Sequence, residues 1–448
     1  MAEPLRPPSA PWASAPPPRR ARTGGWDLLL VSLAVYVATA VGRVHQLFPV
    51  LLPLKPALLS ALLAIGLLLL QQSGQRRLGL LRSPTTTCLL GLLLWSALSV
   101  PVALNQGLAF QAWTDFARTV VMCLVLAGGL RDERDVERVM LVYFGATVVY
   151  TAVVLSRFQL GADSWRLGRL YNYDANDMAT LIASTMPIGL YFVLTRRHLV
   201  LRVFAGVGLA LLAVGQIRSG SRGGFIALLA VVAFVLLSFT TVPVRARVAG
   251  LVVILAVAGT TASDRYWTQM QTIVHPDQDY NSTSEAGRLQ IWKRGLGYMA
   301  ERPVFGVGMH NFAVAEGTIS PLSRLQERGV GVLWGAAHNS FIQVGTELGV
   351  PGLLLFLGVI ASAFRSLRRV ARHPPGVSAA ARDRARLAQS LMAALVGFVV
   401  GAFFLSLAFA DMLYTLAALG IAVGKITRSR GAIASPMAAG GWALGRTP

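Results

Sequence analysis

The sequence predicts an all-α polytopic membrane protein of about 12 transmembrane helices with one large outer loop, and three observations predict it. Of 448 residues, 54% are hydrophobic and 14% charged, with a mean hydropathy of +0.57; an ordinary soluble domain carries about 25% charged residues. Apolar runs recur at lengths close to the roughly 20 residues that cross a bilayer. Basic residues gather in short clusters between those runs, which is a topology signal. That scatter excludes the nucleic-acid partner that a net charge of +21 would otherwise suggest.

The elements follow in order. Residues 1–25 are Pro/Ala-rich and basic and read as a disordered cytoplasmic tail. Ala38–Ala40 imitate a signal-peptidase site, but the downstream topology works better with the first helix retained. Nine spans are expected within 26–262: 26–42, 47–70, 87–104, 116–130, 139–156, 176–194, 203–217, 223–241 and 248–262. The second holds Pro53, Lys55 and Pro56, so its first part is expected to be broken or interfacial. A large periplasmic loop fills 263–339, and three spans follow within 340–427: 340–363, 389–410 and 412–427. The last two meet around Asp411 in a tight hairpin, and 428–448 form a second cytoplasmic tail. Cys88 and Cys123 lie in apolar runs, offer no metal or disulfide spacing, and read as small core residues.

With both termini inside, the cytoplasmic segments hold 26 of the 41 basic residues. Two outer places run against that trend. Long loops cross a membrane largely regardless of charge, so the seven basic residues of the large loop are a mild exception. The short turn "IRSGSRGG", with Arg218 and Arg222, is a sharper one and invites a functional reason.

Within the large loop, "SEAGRLQIWKRGLGYMAERPVFGVGMHNF" predicts a helix from near Ser284 to just before Pro303. Arg288 and Trp292, four residues apart, share one of its faces. By pattern alone this is an amphipathic helix on the membrane surface. His310 sits in the glycine-rich turn that follows. His338 and Asn339 then open the tenth span, Asn339 as a plausible N-cap. "LGVPG" should bend that helix at Pro351, and Glu347 just before the bend is not expected to face lipid. Each of these residues alone reads as a cap, a turn or a surface polar group. Together, Arg222, Arg288 and His338 come from three segments yet share the outer face. Guanidinium groups grip phosphate oxygens through paired donors, and a histidine titrating near neutrality can take a proton from an attacking hydroxyl.

"SRGG", "GRLQIWKRGLGYMAERPVFGVGMHNF" and "AHNSFIQVGTELGVPGLLLFL" resemble the O-antigen ligase and Wzy-type polymerase family, most strongly over 205–363. "YDANDMAT" at Tyr173–Thr180 resembles that family's entry to its sixth helix. The resemblance implies a fold of the C-type glycosyltransferase kind and a glycan donor on undecaprenyl pyrophosphate. It implies inverting transfer, on the periplasmic side of the inner membrane, to a hydroxyl of lipid A-core, a growing glycan or another acceptor. Carried over by position, His338 is the base, and Arg288 and Arg222 hold the pyrophosphate. Arg218, Trp292, His310, Asn339 and Glu347 are candidate substrate contacts. No cofactor is expected: Asp277 and Asp279 have the Asp-x-Asp spacing of metal-dependent glycosyltransferases, but two carboxylates in such a turn are common, and the family reaction is metal-free. Asn281 formally opens a glycosylation acceptor and is set aside.

A transporter is the alternative, since relatives with this layout include bicarbonate-transporter-like proteins. A transporter places ionisable groups near the bilayer midplane or on broken helices. Lys55, Arg118 and Glu347 are the candidates for that, whereas the basic residues singled out above lie at the rim.

Overall fold

The computed structural model describes residues 25–71, 82–157, 166–167, 173–195, 198–275, 284, 287–327, 331, 334–372 and 378–434. Every regular element among them is a helix. In chain order these are α1 Leu28–Ala40, α2 Val44–Leu47, α3 Pro56–Gln71, α4 Pro84–Ser99, α5 Gln106–Gly129 and α6 Glu133–Arg157. Then come α7 Ala175–Thr195, α8 Leu199–Ser219, α9 Arg222–Ser238, α10 Val244–Thr261 and α11 Asp264–Gln271. The outer loop carries α12 Arg288–Glu301, α13 Phe312–Thr318 and α14 Ser323–Glu327. The last three are α15 Ser340–Ala371, α16 Ala379–Ala402 and α17 Asp411–Ala434. Among the described residues, eight helices are long and apolar enough to cross a membrane: α4 to α8, α10, α15 and α16. The apolar helices α1, α3 and α9 are shorter, and α17 runs 24 residues. The chain is a multi-pass membrane protein.

Helix ends follow local chemistry. Asp27, Asn105, Ser221, Ser263, Asn339 and Ser378 each accept backbone N–H groups of the helix they precede, which satisfies donors that have no intrahelical partner. The turn between α8 and α9 is as short as it is because two such devices abut. Gly220 closes α8 at φ +56°, and Ser221 caps α9 directly after it.

The core is built around α7 and α16, the most enclosed of these eight helices. Gly401 on α16 lies where a Cβ would come within 2.4 Å of the Thr180 side chain on α7, so the two backbones approach closely. Ser390 donates to the Pro187 carbonyl at 2.6 Å, binding α16 to the proline-bearing half of α7. Helix α10 buries none of its residues and stands at the periphery.

Contacts between connecting segments sort into two ends. At one end Arg131 pairs with Asp27 and Asp135, Arg384 with Glu133, and Lys425 Nζ donates to the carbonyls of Ala127, Gly128 and Leu130. At the other end Leu104 N–H reaches Val307, Leu167 N–H reaches Arg218, Tyr173 Oη reaches Val41 and Arg222 reaches Thr272. The candidate residues collect at this second end.

Two expectations are corrected. The loop helix α12 begins at Arg288, not near Ser284, because Gly287 stands at its N-cap with extended backbone. The run expected to be helical through residue 410 stops at Ala402, and 403–410 form an irregular connection before Asp411. That connection proves to hold the site together.

Candidate active site

Helix α15 breaks where "LGVPG" says it should, and the break docks the outer loop. Gly349 has φ +69° and ψ −173° inside α15. Pro351 brings no N–H, and the carbonyls just before the break find partners outside the helix. Thr346 O accepts from Val307 N–H at 2.9 Å, Glu347 O from Gly308 N–H at 3.0 Å, and Leu348 O from the Trp95 indole at 2.9 Å. Val350 N–H returns a bond to Pro303 O at 2.8 Å. Buried backbone polar groups are costly without partners, so kink and loop satisfy one another. Glu347 is 1% exposed, its carboxylate lies near the His310 and Phe312 backbone, and one of its oxygens is buried without a hydrogen-bond partner. It is enclosed where the loop meets the break in α15.

Within the loop, Arg294 pairs with Glu316 at 2.6 Å, and Tyr298 Oη donates to the same carboxylate at 2.7 Å. Asn311, fully buried, accepts from Asn105 N–H at 2.8 Å and donates to Met309 O at 2.8 Å. Helix α12 therefore rests on α15 as a fixed element. Trp292 donates its indole N–H to Ala337 O at 3.0 Å and meets Phe403 edge-on. It positions the segment leading to His338.

His338 lies at the end of that segment with φ +48°, a left-handed conformation that costs a non-glycine residue about 1 kcal/mol or more. Three contacts impose it. His338 N–H donates to Ser406 Oγ at 2.9 Å, Ser340 Oγ donates to Leu405 O at 2.7 Å, and Ser340 Oγ accepts from Leu407 N–H at 2.8 Å. Asn339 is 1% exposed, and its side chain accepts from Phe341 and Ile342 N–H at 2.9 and 3.1 Å. It is the helix cap, with no lone pair left facing the site.

Electrostatics ties His338 to the other elements. Burial lowers its pKa below the ordinary 6.5, the nearby Arg288 guanidinium lowers it further, and Asp174 pulls the other way. Arg288 lines a very small cavity of about 10 Å³ together with Asn176 and Thr180 of α7 and Ser221, Gly223 and Gly224 of the α8–α9 turn. Arg166 closes the same cluster: it donates to Ser219 O and to Asn176 Oδ1, both at 2.8 Å. Burial and then Arg222 lower the Arg166 pKa against the pull of Asp174. Arg222 itself donates to Thr272 Oγ1 at 2.6 Å. Asp174 caps α7 by accepting from Asn176 and Asp177 N–H at 2.7 and 2.9 Å.

The structure thus brings Arg222, Arg288 and His338 together. It adds Arg166 and Asp174, which reasoning from the sequence did not single out as site residues. The other candidates fall elsewhere. Arg218 contributes its carbonyl to Leu167 N–H at 2.9 Å. His310, exposed and at φ +59°, lines a second pocket with Arg43 and Asp411. Asp277, Asp279 and Asn281 lie outside the described residues.

Three guanidinium groups and one carboxylate lie near one another beside the His338 imidazole, whose pKa burial lowers. Arg222 and Arg288 are each the first residue of a helix, the end that already carries partial positive charge. The arrangement is built for an anion, with a proton acceptor at its edge.

Residues 207–357 match the family model described as O-antigen ligase, a stretch running from within α8 to within α15. It includes Arg222, Arg288 and His338 and leaves Arg166 and Asp174 outside. No curated protein matches the chain. Residues 207–357 of this multi-pass membrane protein are thus similar to the O-antigen ligase family, a likeness that supports a function of the glycan ligase/polymerase type in general.

Proposed function

We propose that the protein transfers a glycan from a polyprenyl pyrophosphate carrier, undecaprenyl pyrophosphate by the family resemblance, to an acceptor hydroxyl on the periplasmic side of the inner membrane. One observation carries this reading: three arginines from separate segments gather near His338, Arg288 acting on His338, Arg222 on Arg166, and Asp174 on both Arg166 and His338. A pyrophosphate is the ligand that such a group suits. Its oxygens take the paired donors of guanidinium groups, and its charge relieves two cations held at helix N-termini.

In the reaction, a ring nitrogen of His338 takes the proton of the acceptor hydroxyl as its oxygen forms a bond to the anomeric carbon. The bond from that carbon to the pyrophosphate breaks, and the lipid pyrophosphate leaves with the electron pair. Arg166, Arg222 and Arg288 meet the charge that develops on it, where fixed donors in a low-dielectric site contribute most. His338 receives its proton next to Asp174, which favours the imidazolium as it forms. The end of the bundle rich in Arg131, Arg134, Arg138 and Arg384 is then cytoplasmic. The transporter alternative has less support: Arg118 is largely exposed and paired with Asp115 at 2.7 Å.

The test is the surface glycan profile of a deletion strain, resolved by size. Full-length glycan left on the lipid carrier, with none on the terminal acceptor, identifies a ligase. Acceptors bearing single repeats identify a polymerase. An unchanged profile overturns the transfer reading.

A further inference from the structure

A second pocket opens at the same end of the bundle, with a volume of about 360 Å³ and a different chemistry. Its floor is Arg43, Thr119 and Asp411. Arg43 sits 3.9 Å from the Asp411 carboxylate, which also accepts from Thr119 Oγ1 at 3.0 Å. Arg43 is held at φ +50°, and its Nε is buried without a hydrogen-bond partner. A buried guanidinium donor left unsatisfied is expensive and calls for a ligand oxygen. At the rim stand Gln111 and Asp115, one α-helical turn apart on the α5 face that carries Thr119, with His310 of the outer loop opposite. Phe116 and Phe409, edge-on at 5.2 Å, supply an aromatic wall.

The two sites are built from neighbouring residues of the same segments. Tyr173 lies under the Arg43 guanidinium at 5.7 Å, while the next residue, Asp174, acts on Arg166 and His338. Likewise Ser406 holds the His338 backbone, and Phe409 to Asp411, a few residues on, line the second pocket. The same two segments thus serve both the His338 site and the second pocket.

Resting on the transfer reading above, we propose that this pocket binds the acceptor glycan and presents its hydroxyl to His338. The charge balance separates the two sites. Three guanidinium groups and one carboxylate suit an anion. Two carboxylates, one guanidinium, an amide, a hydroxyl and an imidazole beside aromatic rings suit a neutral polyhydroxylated ligand, which needs donors and acceptors mixed and an apolar ring face. His310 acquires a role here: it contacts the acceptor, away from the pyrophosphate.

The test uses the full chain in nanodiscs. In a Cys88→Ser background, with Cys123 buried, a Gln111→Cys variant is labelled with a maleimide in the presence of oligosaccharide released from the host's own envelope glycolipid, or of inorganic pyrophosphate. The glycan is expected to slow labelling and pyrophosphate to leave it unchanged. Labelling slowed by pyrophosphate alone, or by neither probe, overturns the proposal. Kinetics supply the second measurement. Thr119→Val and His310→Ala are each expected to raise the half-saturating acceptor concentration about five- to tenfold, the cost of one hydrogen bond, with that of the donor unchanged. A shift in donor saturation alone overturns the assignment. Glycan protection with no transfer by the parent protein sinks the transfer reading and leaves the pocket a carbohydrate site.

Discussion

His338 and Ser406 are joined through the backbone: the His338 N–H donates to the Ser406 hydroxyl at 2.9 Å, and this contact helps to hold a histidine in left-handed backbone. The imidazole is aimed by its main chain, so its position depends on a residue 68 places away. Ser406→Ala is expected to lower turnover about tenfold while changing stability by about 1 kcal/mol, the value of one buried hydrogen bond. Turnover by detergent-purified protein and its thermal unfolding separate the two effects. Unchanged turnover would mean that Ser340 alone fixes the segment.

The pH dependence follows from the groups around His338. A base acts when neutral, so activity is lost as the pH falls through its pKa. Burial and Arg288 hold that pKa below 6.5, which places the acid limb of the rate profile below pH 6.5 as well. Asp174 opposes them, so Asp174→Asn removes an upward pull and is expected to move the acid limb lower still. Asparagine preserves the cap on α7, so the fold survives the test. A limb that moves upward, or stays in place, would separate His338 from the rate.

Much of this site is legible in the sequence because membrane topology sorts residues by side. Alternating the spans puts Arg222, Arg288 and His338 on one face before any contact is known. Asn339 reads correctly as a cap, since its chemistry is local. What the sequence hides is long-range. Glu347 is buried close to the backbone of a loop some 35 residues earlier, and nothing beside it in the chain says so. Asp174 looks like any helix cap, and it is one; its second role depends on His338 lying close by. The run "FFLSLAF" at 403–409 is apolar enough to pass for membrane helix, which conceals Ser406. Arg166 lies in a loop with other arginines and only its hydrogen bonds to Ser219 and Asn176 distinguish it.

The kink in α15 offers a test of how the loop is held. At Gly349 a Cβ would approach Val304 O to 2.3 Å and Pro303 O to 2.5 Å, and φ is +69°. Gly349→Ala must therefore displace the segment that carries Pro303 to Gly308. A loss of about 2–3 kcal/mol is expected, the range for a strained backbone combined with lost packing. Thermal unfolding reads the loss, and limited proteolysis within 302–312 shows whether the loop has come off. A variant as stable as the parent, with the loop protected, would mean that the docking bonds contribute little.

Arg222 tests the pyrophosphate reading most directly, because a conservative change separates charge from geometry. Its guanidinium donates to Thr272 Oγ1 at 2.6 Å, so part of the planar fork is already oriented by α11's end before substrate arrives. Lysine keeps the charge but has no planar fork: it cannot bond Thr272 and two phosphate oxygens in the same geometry. Arg222→Lys is expected to lower kcat about 100-fold, the scale seen when one preorganised donor to a developing anion is removed. Donor half-saturation should rise less, since the ground-state attraction is mostly charge. Thr272→Val provides the control: it leaves the guanidinium in place without its orienting partner and should cost turnover about fivefold, one modest hydrogen bond. Near-normal kcat in Arg222→Lys would mean that residue 222 supplies only a diffuse positive field, and the leaving-group role would pass to Arg166 and Arg288.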